Sequence, residues 1–89
     1  MNKLEADDVT KIVCNDERLS LQEEFLVIIL YHFSDNNLRC FLNYSALRKY
    51  ARCSLNSLKK YLRHLEEYGY VTPTKTNNRI EYIQLHLTS

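Results

Sequence analysis

One glycine, one proline and no tryptophan occur in these 89 residues, and each scarcity excludes something. A single glycine cannot build a P-loop or a dinucleotide fingerprint, since both need several glycines where the backbone must approach a phosphate. With so few residues that interrupt regular structure, the chain should be mostly helix and strand with little linker. No apolar run approaches the roughly 20 residues needed to span a bilayer, and the first residues lack the basic and apolar regions of a signal peptide. A cytoplasmic location, with no membrane partner, is therefore expected. Cysteine is limited to Cys14, Cys40 and Cys53, odd in number and widely spaced. They form neither the close pairs of a zinc site nor a disulfide framework, and read as free, mostly buried thiols. His32, His64 and His86 fall on three different expected elements, so no nucleophile–base or paired-carboxylate arrangement is suggested by local spacing. The chain is expected to be no enzyme and to carry no metal or cofactor. The formal net charge of +1 is far from a strongly basic balance, and the hydrophobic content of 45% suits one small compact domain.

What is present is concentrated between Tyr44 and Val71. A first segment, YSALRKYAR, leads through Cys53 and Ser54 into SLNSLKKYLRHLEEYGYV. Ser54 can cap a helix by accepting from a free backbone N–H of the first turn. Leu55, Leu58, Leu62 and Leu65 then recur at spacings of three and four, which places them on one face. Gly69 falls just past the last leucine, where a left-handed residue closes a helix. In the shorter segment Leu47 and Ala51 share a face while Arg48, Lys49 and Arg52 spread over the rest. Two helices joined by so short a turn cross steeply and leave the start of the second exposed. After Gly69 the pattern changes. Tyr70, Val71 and Thr72 suit a strand, Pro73 limits pairing on one side, and Lys75 to Arg79 form a polar tip containing Asn77 and Asn78. Ile83, Leu85 and Leu87 alternate with Gln84, His86 and Thr88 as in a strand with one buried face, whereas Ile80 and Tyr82 break that phase and suggest a bulge.

Upstream, Ser20-Leu21-Gln22-Glu23 has capping-box spacing, so a helix is expected over 20–33. Leu21, Phe25, Ile28, Ile29 and His32 form a stripe, and Leu26, Val27, Leu30, Tyr31 and Phe33 make the remaining surface apolar too. This helix should be central to the core or shared with a partner. Ser34 to Asn37 reads as a turn, and Leu38 to Asn43 as a short strand with Cys40 and Leu42 facing one way, Arg39 and Phe41 the other. In residues 1–18, Leu4, Val9, Ile12 and Val13 have helical spacing. That short helix would either cover the bottom of the core or pair with a second copy.

The leucine phase of the second helix, the glycine that ends it and the hairpin that follows resemble the winged helix-turn-helix superfamily over residues 20 to 88. The resemblance implies an α+β, mainly α fold: a three-helix core with a C-terminal β-hairpin wing over residues 19–89, preceded by an extra N-terminal segment over 1–18. It implies double-stranded DNA as the partner, read in the major groove by helix 55–68, with wing 72–80 on phosphates. Ser54, Asn56, Ser57, Lys59, Lys60 and Arg63 would then lie toward DNA, with Lys75, Asn77, Asn78 and Arg79 on the wing. Arg48 and Arg52 depart from the family pattern, standing where small residues and glycine are frequent. The charge distribution agrees with this orientation. Glu5, Asp7, Asp8, Asp16, Glu17, Glu23 and Glu24 crowd the first 24 residues, while Arg39 to Arg79 holds nine bases against Glu66 and Glu67. The expected role is that of a small transcriptional regulator, or a related phage or plasmid replication initiator, dimerising through the N-terminal segment and helix 20–33. The rival role is a viral or mobile-element interaction module that uses Phe25, Ile29 and Phe33 to bind a host or replication factor. Among seven tyrosines, Tyr44 and Tyr50 are the candidates for phosphate contact, the others for packing. His64, beside Arg63, is either solvated or in reach of phosphate.

Overall fold

The structure, a computed structural model, describes residues 6–77 and 79–87. The expectations for Leu4, Asn78 and Thr88 lie outside those residues. Helices α1 (Ala6–Cys14) and α2 (Leu21–His32) are followed by strand β1 (Arg39–Cys40) and helices α3 (Tyr44–Ala51) and α4 (Leu55–Glu67). Strands β2 (Val71–Thr76) and β3 (Arg79–Leu85) complete the chain. The strands form one antiparallel sheet in the order β1-β3-β2. This is the winged helix-turn-helix arrangement: α2, α3 and α4 as the core, β2 and β3 as the wing, β1 as the third strand.

Local chemistry sets most boundaries. Ser20 and Glu23 satisfy each other reciprocally at the start of α2, the Ser20 N–H donating to Glu23 Oε1 at 2.9 Å and the Glu23 N–H to Ser20 Oγ at 3.2 Å. Asn43 caps α3 through Ala46 N–H, and Ser54 caps α4 through Ser57 N–H. Gly69, at φ +84°, ends α4: its N–H donates to Glu66 O, and the Tyr70 N–H reaches back to Leu65 O at 2.8 Å. That pair of bonds defines a Schellman close. Arg52 ends α3 in the same left-handed region, at φ 54° and ψ 49°, without being glycine.

The core gathers one face from each element. Leu58, Leu62 and Leu65 of α4, Leu47 of α3, Leu26, Val27 and Leu30 of α2, and Ile83 and Leu85 of β3 are all buried. Leu55 is only partly covered. The expected α2 stripe is corrected here, because Leu21 is 79% and Phe25 50% exposed while the opposite face is buried. A helix apolar on every side carries no phase in its hydrophobicity, so tertiary packing alone chose the inner face. Ile29 is buried and cannot serve an outward-facing interface.

In the wing, Thr74 pairs with Tyr82 and Lys75 with Ile80, leaving Glu81 as the extra residue of a bulge where the alternation failed. Pro73 sits on the edge strand, where a sheet tolerates its missing donor. Strand β1 is shorter than the expected 38–43. Leu38 is held at φ 60°, and the Asp35 carboxylate accepts from the Asn37 and Arg39 N–H groups, so a tight turn occupies the strand's start.

Helix α1 packs on α2 and buries Val9 and Val13. The segment after it is fastened to the far side of the fold. Asp16 accepts from Arg18 at 2.9 and 2.7 Å and from the Tyr70 hydroxyl at 2.8 Å, and the Arg18 guanidinium lies 4.7 Å from the Tyr68 ring centroid. The Arg18 bonds hold the Asp16 carboxyl well below the usual carboxylate range. Burial, followed by the bond to Asp16, pushes the Tyr70 phenol up to about 12. Among the described residues no helix is long and apolar enough to cross a membrane.

Candidate nucleic-acid interface

Helix α4 turns its leucines inward, and at about 100° per residue this puts Asn56, Lys59, Lys60 and Arg63 within about 100° of arc on the opposite side. All four are exposed. Their helix is held from behind by Leu58, Leu62 and Leu65 and by a polar tie, His64 Nδ1 lying 2.6 Å from Glu23 Oε2. Glu23 is 4% exposed. Burial works to raise its carboxyl, but the Ser20 N–H and the His64 ring outweigh that and leave it lowered, hence ionised and a fixed acceptor. The solvated or phosphate-touching role expected of His64 is thereby replaced by a structural one. Its partner lies 41 residues away, which no local spacing could reveal.

Ser54 and Ser57, expected among the contact residues, are engaged with each other. The Ser54 hydroxyl donates to Ser57 Oγ at 3.0 Å while accepting the Ser57 N–H at 3.1 Å. Their first duty is to fix the helix start, which in turn fixes Asn56.

Between α4 and the wing runs a groove whose walls carry Lys59 and Arg63 on one side, Pro73 and Lys75 on the other, with Tyr44 at its end. Three of the predicted bases thus converge on one cleft. Lys60 does not line it and lies on the flank of α4, 5.5 Å from the Tyr61 ring centroid. Arg79 lines an adjoining depression with Asn43, Tyr44 and Ser45. Asn77 sits at the wing tip with φ 53°, exposed, and Asn78 lies outside the described residues. Glu66 also lines the main groove.

Tyr44 links these cavities. It is half-buried, burial raises its phenol above the ordinary value, and the Lys59 ammonium stands 5.9 Å from its ring centroid. It therefore presents a protonated hydroxyl and a cation-facing ring beside the groove. Its position at the first turn of α3 was the available sequence signal. Arg48, Lys49 and Arg52 count in the sequence among the bases of the motif and wing expected to face phosphates, but nothing local shows that they share a surface. With Ser45, Cys53 and Ser54 they line a third cavity, on the α3 side of the α4 start. Cys40 is buried, Cys53 partly covered and Cys14 exposed, all unpaired. Burial pushes the Cys40 thiol up. Among the described residues no group of three or more His, Cys, Asp or Glu side chains is placed to hold a metal ion.

A family model described as a helix-turn-helix domain matches residues 17–71, from the loop before α2 to the first residue of β2. No curated protein and no solved structure matches the chain.

Proposed function

Since the chain belongs to this helix-turn-helix domain family, we propose that it binds double-stranded DNA sequence-specifically, as a small transcriptional regulator acting in the cytoplasm. The observation that carries the reading is the convergence of Lys59, Arg63 and Lys75 on the groove between α4 and the wing, beside an exposed Asn56. Helix α4 enters the major groove with its first two turns. Asn56 suits adenine, whose N6 and N7 it can bond in bidentate fashion, and Lys60 or Arg63 suits guanine O6 and N7. Lys59, Lys75 and Arg79 meet phosphates, which set register without reading sequence. The acids crowded into the first 24 residues, the buried Glu23 apart, disfavour a reversed approach.

The test is selection from a random duplex pool, sequencing of the bound fraction, and titration at several salt concentrations. A selected motif with affinity falling steeply as salt rises is expected. Lys60→Ala with Arg63→Ala should then cost on the order of 1 to 3 kcal/mol per lost base contact and relax the motif there. An unchanged affinity and motif would remove α4 from the interface.

One observation favours a second reading, in which the scaffold binds protein. Leu21 and Phe25 stand exposed on consecutive turns of α2. They support pairing of two copies through α2 and the N-terminal segment, or docking of another protein. Sedimentation of wild type and Phe25→Glu decides: an association lost in the variant supports an α2 interface, and a wild type that sediments as a monomer excludes the dimer.

A further inference from the structure

Strand alternation sends Ile83 and Leu85 of β3 into the core and turns Tyr82 and Gln84 to the other face of the sheet. Thr74 stands across from Tyr82, and Thr72 and Arg39 stand on either side of Gln84, so these side chains share that outer face. Phe41, one residue past β1, joins them. Its ring centroid lies 5.3 Å from that of Tyr82 with the planes inclined by 45°, and the residue is 58% exposed.

An exposed apolar side chain standing alone is ordinary, but this one belongs to a fixed array. Gln84 Nε2 donates to the carbonyls of Asn37 and Leu38 at 2.8 and 3.2 Å, and Gln84 Oε1 accepts from Arg39 Nε at 3.2 Å. The Arg39 guanidinium is thereby held 5.1 Å from the Tyr82 ring centroid. A cation, a phenol ring and an open phenyl ring follow one another across the sheet.

The chemistry of this face selects its partner. Two rings bordered by Thr72, Thr74 and Gln84 make a small apolar centre for a stable protein interface, whereas every nucleobase has a face that stacks on one ring. Arg39 belongs to neither ion pair of the described residues, Arg18 with Asp16 and His64 with Glu23, so its charge is open to an anion. The acids nearest in the chain are engaged elsewhere: Asp35 accepts from the Asn37 and Arg39 N–H groups, and Glu81 from the Thr76 hydroxyl at 3.0 Å. Stacking rings beside an unpaired cation fit a polyanion that carries its own aromatic groups.

We propose that the outer face of the sheet binds single-stranded DNA, with a base stacked on Phe41, Tyr82 extending the stacking surface and Arg39 meeting a phosphate. The choice of DNA over RNA rests on the duplex reading above, because the hairpin that carries this face also carries the wing bases Lys75 and Arg79. A strand separated beside the bound duplex is captured on the reverse of the same hairpin.

The test is fluorescence anisotropy with labelled oligo-dT of about 12 nucleotides, oligo-rU of the same length and a random duplex pool, each across a salt series. The proteins are wild type, Phe41→Ala, Phe41→Tyr, Arg39→Gln and the double variant K59A/R63A, with a thermal melt of each. F41A should weaken oligo-dT binding about 5- to 150-fold and leave the duplex affinity alone, while F41Y, which keeps a ring, should bind oligo-dT like wild type. R39Q should reduce the slope of log affinity against log salt for oligo-dT by about 0.7, the loss of one phosphate contact on a single strand. K59A/R63A should weaken the duplex and spare oligo-dT. A wild type that does not hold oligo-dT, or one whose binding is matched by F41A and R39Q, would overturn this inference; a duplex pool still bound would leave the duplex reading standing. Tighter binding of oligo-rU than oligo-dT, with the same loss in F41A, would overturn the assignment to DNA and give the surface to RNA. Oligo-dT binding lost in F41A by a protein that ignores the duplex pool would support the sheet site and overturn the duplex reading.

Discussion

Gly69→Ala isolates the contribution of one backbone angle. A Cβ built at Gly69 meets no heavy atom within 4 Å, so the substitution introduces no clash and its cost is conformational. At φ +84° an alanine is disfavoured by roughly 1–2 kcal/mol relative to the right-handed form. Against that, alanine narrows the unfolded ensemble and returns about 0.4–1 kcal/mol. The net loss should be about 1 kcal/mol, which for a domain of this size lowers the melting temperature by roughly 4–8 °C. Gly69→Asn should lose less, because asparagine visits the left-handed region more readily. Far-UV circular dichroism melts of the three proteins give the order directly. A G69A protein that melts at or above the wild-type temperature would refute the Schellman close. A far larger drop would refute the open space around it.

Other perturbations address the caps and ties. Ser54→Ala removes the α4 cap and should cost about 1 kcal/mol, measurable as a lower urea midpoint with an unchanged denaturant slope. Tyr70→Phe removes the hydroxyl bond to Asp16 and should cost about 1 kcal/mol near neutral pH. The Tyr70 phenol is raised in the fold, so its contribution is complete below its unfolded value near 10 and is lost as pH climbs toward about 12. The gap between wild type and Y70F should therefore close over that alkaline window, and a constant gap contradicts the tie. For Asp16 the sign is opposite: its carboxyl is lowered in the fold, so its stabilisation is present above about 4 and fades as acid protonates it. Urea midpoints should fall from about pH 5 downward, less so in Asp16→Asn. A double-mutant cycle on Glu23→Gln and His64→Gln should return a coupling of roughly 0.5–1.5 kcal/mol, and additivity within error would show that the pair contributes nothing.

Much of the helix-turn-helix was legible because its signals are local. The leucines of α4, the serine before them and the glycine after them lie within one short stretch, Ser54 to Gly69, and leave one consistent reading. The bulge at Glu81 was legible for a similar reason, since Ile80 and Tyr82 visibly break the alternation that Ile83 and Leu85 keep. The orientation of α2 was not, because Leu21 and Phe25 are as apolar as Leu26 and Leu30 and only the positions of α1, α3, α4 and β3 decide which pair is covered. Two polar ties were also hidden. Glu23 reads as half of a capping box, which it is, and its second oxygen is committed to a histidine 41 residues on. Asp16 reads as one more acid near the N-terminus, yet it anchors Tyr70 across 54 residues. At the candidate interface, sequence supplied the bases of α4 and the wing but not their partition. Folding brings Lys59, Arg63 and Lys75 into one groove and gathers Arg48, Lys49 and Arg52 about another.

The sheet order has a kinetic meaning. Strand β3 is the middle strand, and it pairs with β2 across a tight turn but with β1 across a long stretch of chain, Arg39 facing Gln84. The hairpin and the α3–α4 pair close short loops and can form early, whereas β1 must wait for a strand made almost last. During synthesis α2, with Leu26, Val27, Ile29, Leu30 and Tyr31 uncovered, precedes the Ile83 and Leu85 that complete its pocket. The chain is thus most vulnerable to self-association before its final strand is present. Pulse-labelled hydrogen exchange should show β1 amides protected after those of the β2–β3 hairpin.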